Sequence, residues 1–218
     1  MKRKAKLIWG ICFSIFLVII VVFSFHETIL LHAGHFMAPE GTGKADVAIL
    51  EGAEGLETGA VNMAMATLSS GRASRIVIVI HQRPEMIKQF ALDENYPDLV
   101  RKKLKALGLS EKQFTIVVAP VDHPITLIEA TIVLAKLSKE GVHDALLLAK
   151  GFHARRSFLV YQHIGKQYDI KIIPVAYFND YPLSDWWTSE EGLKDFVSET
   201  IKLFYYQSRG YIPLKNNS

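Results

Sequence analysis

The residues best suited to chemistry lie in one short block, Gly151-Phe152-His153-Ala154-Arg155-Arg156-Ser157. An apolar run from Ala145 to Ala149 precedes it and reads as a buried strand, and an amphipathic segment from Phe158 to Ile164 follows and reads as a helix. The block is thus a strand, a glycine turn and a helix start in succession. At a helix start the first backbone N–H groups lack partners and the dipole is positive, which favours an anion. Two arginines and a histidine in that first turn run against the usual preference for acidic residues there. Together they predict an anionic ligand, phosphate or pyrophosphate, held by Arg155 or Arg156 through charge-assisted hydrogen bonds, with folding hardly affected when an arginine is removed. His153 would serve as general acid or base near neutral pH, and Glu51 would orient it or activate water. The bland alternative is that these arginines pair with carboxylates such as Glu51, so that their loss lowers stability and leaves anion affinity alone.

The elements that must position this block follow from two alternating periods. Val47 to Leu50, Arg75 to Ile80, Phe114 to Ala119, Ala145 to Ala149 and Ile170 to Val175 read as short apolar strands. Between them, Ala60 to Leu68, Pro97 to Leu107, Pro124 to Lys139 and the segment after Arg156 read as helices. A last helix, Glu190 to Gln207, shows an apolar stripe of Leu193, Phe196, Val197, Ile201 and Phe204, with Thr188 and Glu191 as a capping box. This alternation predicts an α/β, Rossmann-like three-layer domain over residues 45–212 with a mainly parallel sheet of about five strands. In such sheets ligands gather outside the carboxyl ends of the strands. That rule collects Glu51 and Gly52 after the first strand, His81 after the second, His123 and Thr126 after the third, and Gly151, His153, Arg155, Arg156 and Ser157 after the fourth. Of Trp186 and Trp187, which follow the fifth strand, one is expected to line the pocket and the other to pack under the last helix; Trp187 is taken as the ligand-side residue.

The N-terminus bears on location. Leu7 to Phe25 is 19 residues without a charge, at ~1.5 Å per residue about the thickness of a hydrocarbon core. Lys2, Arg3, Lys4 and Lys6 precede it, so the positive-inside rule keeps residues 1–6 in the cytoplasm and puts the globular domain outside. The apolar run is long for a signal peptide and no good small-x-small cleavage site follows, so residues 7–27 read as an uncleaved transmembrane anchor, 28–44 as a connector and 213–218 as a tail. The formal net charge is +3, and those four basic residues more than account for it. Nucleic-acid binding therefore draws no support from charge. Cys12, the single cysteine, falls inside the span, which leaves the outer domain without a disulfide, a thiol nucleophile or a cysteine metal ligand. His32 and His35 lack a third ligand nearby, Asp46 and Asp122 do not form a carboxylate pair, and no metal is expected. No Gly-x-Ser-x-Gly elbow surrounds Ser157, and no Gly-x-Gly-x-x-Gly follows the first strand.

Several blocks in order carry a resemblance to a known family: Ala45 to Gly52, Gly71 with Arg75 to Val79, Pro124-Ile125-Thr126, Gly151 to Ser157, and Trp186-Trp187 with Glu191-Gly192. The chain from about Asp46 to Gly210 resembles the bacterial ElyC/SanA/YdcF family, and within it a branch with Glu-Gly, His-Ala-Arg-Arg-Ser and Trp-Trp motifs. The resemblance implies a Rossmann-like domain, often held to the envelope by one N-terminal helix and tied to cell-wall assembly. Many members have Gly-Gly after the first strand, an arginine in the next helix, Ser-Gly after the second strand and Asn-Thr-x-Glu-Asn before the third helix. Here Glu51, Val61-Asn62, Ile80-His81 and Ile125 to Glu129 stand in those places, with Thr126 alone matching the last block in register. The expected function is that of a membrane-anchored envelope protein binding a phosphate-bearing small molecule or lipid-linked intermediate. Its alternative is a non-catalytic sensor or scaffold of a membrane complex. Catalysis is left open between the two, and the cofactor is unknown, a nucleotide or adenosyl type being suggested only by analogy of fold.

Overall fold

The structure is a computed structural model and describes residues 2–52, 57–82 and 96–213; inside the first helix the side chains of 2–8, 11, 12, 15, 18, 19 and 22 are outside that description. The tail from 214 onward also lies outside the described residues. The order is α1 (Lys2–Met37), β1 (Val47–Leu50), α2 (Thr58–Ser69), β2 (Ile76–Gln82), α3 (Tyr96–Ala106), β3 (Phe114–Pro120), α4 (Ile125–Lys139), β4 (Asp144–Lys150), α5 (His153–Gly165), β5 (Lys171–Tyr177), a 3-10 turn (Trp186–Thr188) and α6 (Glu190–Ser208). All five strands are parallel, in the order β3-β2-β1-β4-β5. This is the predicted Rossmann-like α/β sheet. Successive strands run outward on one side from β1, then return to its other side at β4, so the switch point lies between β1 and β4.

The period of the strands decides which side chains meet. Val47 and Ile49 of β1 and Val77 and Val79 of β2 face one core, under α4, α5 and α6; Ala48, Leu50, Ile76, Ile78 and Ile80 face the other, under α2 and α3. Carried one step past β1, the alternation brings Glu51 to the α4–α5–α6 side, and along β2 it brings His81 there too. Leu50 pairs with Leu148, so the turns that leave β1 and β4 emerge side by side. On α4 the buried stripe Thr126, Glu129, Val133, Leu137 starts with two polar residues at that same edge.

Three expectations are corrected here. Residues 28–44 are not all connector: α1 stays helical to Met37 because its end is built into the domain, with Trp186 Nε1 donating to Leu30 O at 3.0 Å, Gly34 lying against the Trp186 ring and Met37 buried. His32 Nδ1 is 2.7 Å from Thr28 O, a contact within the helix. Secondly, the N-cap of α6 is Ser189, whose hydroxyl accepts from Gly192 N at 2.8 Å, one residue after the predicted Thr188. Thirdly, α6 does not bury the predicted stripe: Leu193, Val197, Ile201 and Phe204 are exposed, while Gly192, Glu199, Leu203 and Tyr206 are buried and Phe196 stacks on Trp186. The helix is turned so that its acidic side meets the basic start of α5. As for the anchor, α1 passes through the apolar run, but over the described residues no helix is long and apolar enough to cross a membrane.

Candidate functional site

A cavity of about 370 Å³ opens at the carboxyl ends of the strands, beside the switch point. Its lining comprises Glu51, Gly52, His81, His123, Ile125, Thr126, Glu129, His153, Arg156, Lys202, Tyr205 and Tyr206. Among the residues expected from sequence, Glu51, Gly52, Thr126, His153 and Arg156 are therefore brought together. Gly52, with a φ of +59°, turns the chain out of β1 and leaves open space where a side chain would stand.

Arg156 is buried and fully engaged. Its Nε donates to Glu199 Oε2 at 2.9 Å, its Nη2 to Glu199 Oε1 at 3.3 Å and its Nη1 to Thr126 Oγ1 at 2.9 Å, and its guanidinium lies 4.8 Å from the centre of the Tyr206 ring. Of the two readings of the arginines, the carboxylate-paired one thus describes Arg156, with Glu199 as partner in place of Glu51. Burial works against the Glu199 carboxylate, but His153 and Arg156 outweigh it and hold its pKa well below the usual carboxylate range.

His153 stands between two acids. Its Nε2 is 3.3 Å from Glu51 Oε1, and its Nδ1 is 3.4 Å from Glu199 Oε2 and 2.8 Å from Arg156 Nη2. The shortest of these distances suits a neutral ring, with Nδ1 accepting from Arg156. On protonation Nδ1–H has Glu199 Oε2 within reach instead. Burial alone would depress the imidazole pKa, yet Glu51 and Glu199 overcome both burial and Arg156 and raise it to about 9.

Glu51 itself is buried. Ser157, fully enclosed, donates its hydroxyl to Glu51 Oε2, whereas Glu51 Oε1 has no hydrogen-bond partner despite the nearby His153 ring. Burial pushes this carboxyl up, but His153, Ser157 and Arg156 together bring it below its ordinary value. Deeper still, His81 Nε2 is 2.9 Å from Glu129 Oε2, and Tyr161 donates to Glu129 Oε1 at 3.0 Å. For Glu129 burial and the charge of Glu51 win, and its pKa is raised. Two carboxyl groups on one cavity are thus pushed in opposite directions, the pattern that separates a base from an acid.

Four expected residues stand outside the lining, one of them Ser157, which is fully enclosed and spends its hydroxyl on Glu51. Arg155 is not in the lining; its guanidinium lies 4.3 Å from the centre of the Phe36 ring of α1, since at this helical position the side chain points toward the packed end of α1. Trp187 meets the edge of Trp186 away from the cavity, and Trp186, 2% exposed, packs among Phe152, Phe196 and α1. Gly151 serves the turn: its φ is +55°, its N–H donates to Tyr177 O at 2.8 Å, and a Cβ there would collide with Asp195. The anion expected at the start of α5 is supplied by the chain itself, because Asp195 Oδ2 accepts from Phe152 N at 3.1 Å and from the Tyr181 hydroxyl.

Sequence reasoning missed Asp195, Glu199, Lys202, Tyr205 and Tyr206 of α6 and Glu129 of α4. The available signal was the acidic pair Asp195 and Glu199, one turn apart, a match for the unbalanced basic turn of α5. Among the described residues no group of three or more His, Cys, Asp or Glu side chains is arranged to hold a metal ion. Comparison with family models, curated proteins and solved structures finds no match for this chain.

Proposed function

We propose that this chain is an envelope protein held in the cell membrane by α1, with its N-terminus in the cytoplasm, and that the cavity binds a phosphate-bearing small molecule or lipid-linked intermediate. The resemblance to the ElyC/SanA/YdcF family motivates a setting in cell-wall or surface-polysaccharide assembly. The observation that carries the ligand class is the charge balance of the cavity. Arg156, Lys202 and His153, whose ring its acidic neighbours push toward the charged form, face the carboxylates of Glu51 and Glu199, while burial and the charge of Glu51 push Glu129 toward its neutral form. The lining leans toward positive charge. Lys202, bonded to Glu199 Oε1 at 2.8 Å and about half exposed, is the cation placed to meet a ligand from solvent. His153, with an acid on either side, is the group suited to moving a proton, and Glu51 is its partner.

Mass spectrometry of the full chain under non-denaturing conditions tests this reading. A phosphate-bearing adduct in the wild type, lost in Lys202→Ala, supports it; an adduct without phosphorus, or none, contradicts it. A reporter fused after Ser218 tests the topology and is expected to be active outside the membrane.

A second reading, a non-catalytic scaffold of a membrane complex, draws on the exposed stripe Leu193, Val197, Ile201 and Phe204. It is favoured to the extent that Arg156 is already satisfied within the protein.

A further inference from the structure

Positive charge alone does not describe the cavity, because one of its buried charged groups, Glu51, holds an acceptor atom without a hydrogen bond. Glu51 is 5% exposed, its carboxylate is kept ionised by His153, Ser157 and Arg156, and its Oε1 makes no hydrogen bond. Such an atom is costly to leave unmade and repels a phosphate oxygen. At the other extreme of exposure in the lining, the Lys202 side chain is 53% exposed and Tyr205 49%. The cavity therefore has an acceptor floor and a cationic, aromatic rim. Its volume of about 370 Å³ lies at the small end of ligand sites, for which ~300–1,000 Å³ is usual.

We infer that the ligand is a phosphate ester of a small polyol or sugar, bound with a hydroxyl donating to Glu51 Oε1 and its phosphoryl group turned outward to Lys202. This rests on the anion-binding reading above and orients the ligand within it. A hydroxyl satisfies the orphaned oxygen without adding charge to the floor, and the same hydroxyl lies close to the His153–Glu51 pair. The half-exposed Tyr205 ring offers an apolar face to the carbon skeleton between the two polar ends. Bare inorganic phosphate meets the rim and leaves Glu51 unsatisfied.

Isothermal titration of the full chain in detergent with glucose 6-phosphate, cyclohexyl phosphate and inorganic phosphate tests the orientation. The wild type is expected to bind glucose 6-phosphate at least about tenfold more tightly than cyclohexyl phosphate, which has the ring and the phosphate but no hydroxyl. Glu51→Gln is expected to remove most of that preference while inorganic phosphate binds as well as before or better, because a negative charge has gone. Equal binding of glucose 6-phosphate and cyclohexyl phosphate by the wild type overturns the orientation and leaves the anion site standing. A Glu51→Gln variant that gains affinity for both esters alike overturns it too, placing the phosphate on the floor. Failure of all three to bind removes the anion site itself. The wild-type comparison needs no variant to fold.

Discussion

Asp195 and Glu199 stand one turn apart on α6 and answer separately the two positive features at the start of α5. Asp195 takes the backbone, accepting Phe152 N–H at 3.1 Å, and Glu199 takes the side chains, accepting from Arg156 at 2.9 Å. The basic turn that points to a ligand in the sequence is therefore largely neutralised from within. What stays open on the cavity is the half-exposed Lys202 ammonium, the partly exposed His153 ring and the Glu51 oxygen without a hydrogen bond.

Asp195→Ala removes the acceptor for Phe152 N–H and for the Tyr181 hydroxyl. A cap of this kind is typically worth about 0.5–2 kcal/mol, and a melting point lower by several degrees is expected. Gly151→Ala should cost at least as much, since the left-handed backbone disfavours alanine and its methyl would displace the same carboxylate. A melting point within a degree of wild type for both variants would refute the capping role.

Arg156→Ala leaves a buried Glu199 with Lys202 and His153 alone, and breaking a buried pair in this way costs about 3–5 kcal/mol. Arg156→Lys keeps the charge but cannot span Glu199 and Thr126 as a fork, so only part of the loss returns. Chemical denaturation of the two variants measures this. Unchanged midpoints would mean that Arg156 is free to serve a ligand, as the sequence alone suggests.

The His153 ring adds a pH dependence with a defined sign. Its folded pKa is about 9 against an ordinary 6.5, so its stabilisation is complete below pH 6.5 and is lost as the pH rises through 9. The carboxyls of Glu51 and Glu199 are depressed, so theirs is present above about pH 4.5 and is lost on acidification. The network therefore contributes most between about pH 4.5 and 6.5. Since the ring is partly exposed, the alkaline loss is taken as no more than about 3 kcal/mol. Melting curves from pH 6 to 10 should fall for the wild type and be flatter for His153→Gln. Parallel curves would contradict this assignment.

Trp186→Ala is expected to be severe and Trp187→Ala mild. Trp186 stacks on Phe196 at 4.2 Å, meets Phe152 at 5.2 Å and bonds to the backbone of α1 at Leu30, and truncating a core aromatic costs ~3–5 kcal/mol. Comparable melting points for the two variants would overturn this division.

How much was legible in the sequence depends on whether a contact is local. Strand period and turn chemistry placed all five strands, and the rule for strand ends brought Glu51, His81, Thr126, His153 and Arg156 to one edge. The acid shared by His153 and Arg156, Glu199, comes from α6, more than forty positions further on, and no local pattern announces it. The same distance governs the face of α6: its most continuous apolar stripe predicts burial, whereas pairing Asp195 and Glu199 with α5 fixes the rotation and leaves Leu193, Val197, Ile201 and Phe204 outside. Arg155 and Arg156 are neighbours in sequence, yet the helix sends one to Phe36 and the other into the cavity.

If the cavity carries surplus positive charge and receives an anion there, the His153 ring reports both. Proton NMR of its ring in the full chain, followed from pH 6 to 10 with and without glucose 6-phosphate, measures this directly. The expected result is a pKa of about 9 in the free protein that rises further with the ester, because an anion favours the charged ring, and that no longer responds to it in Lys202→Ala. A ring that titrates near its ordinary 6.5, or one whose pKa does not move when the ester is added, would rule out an anion site beside His153.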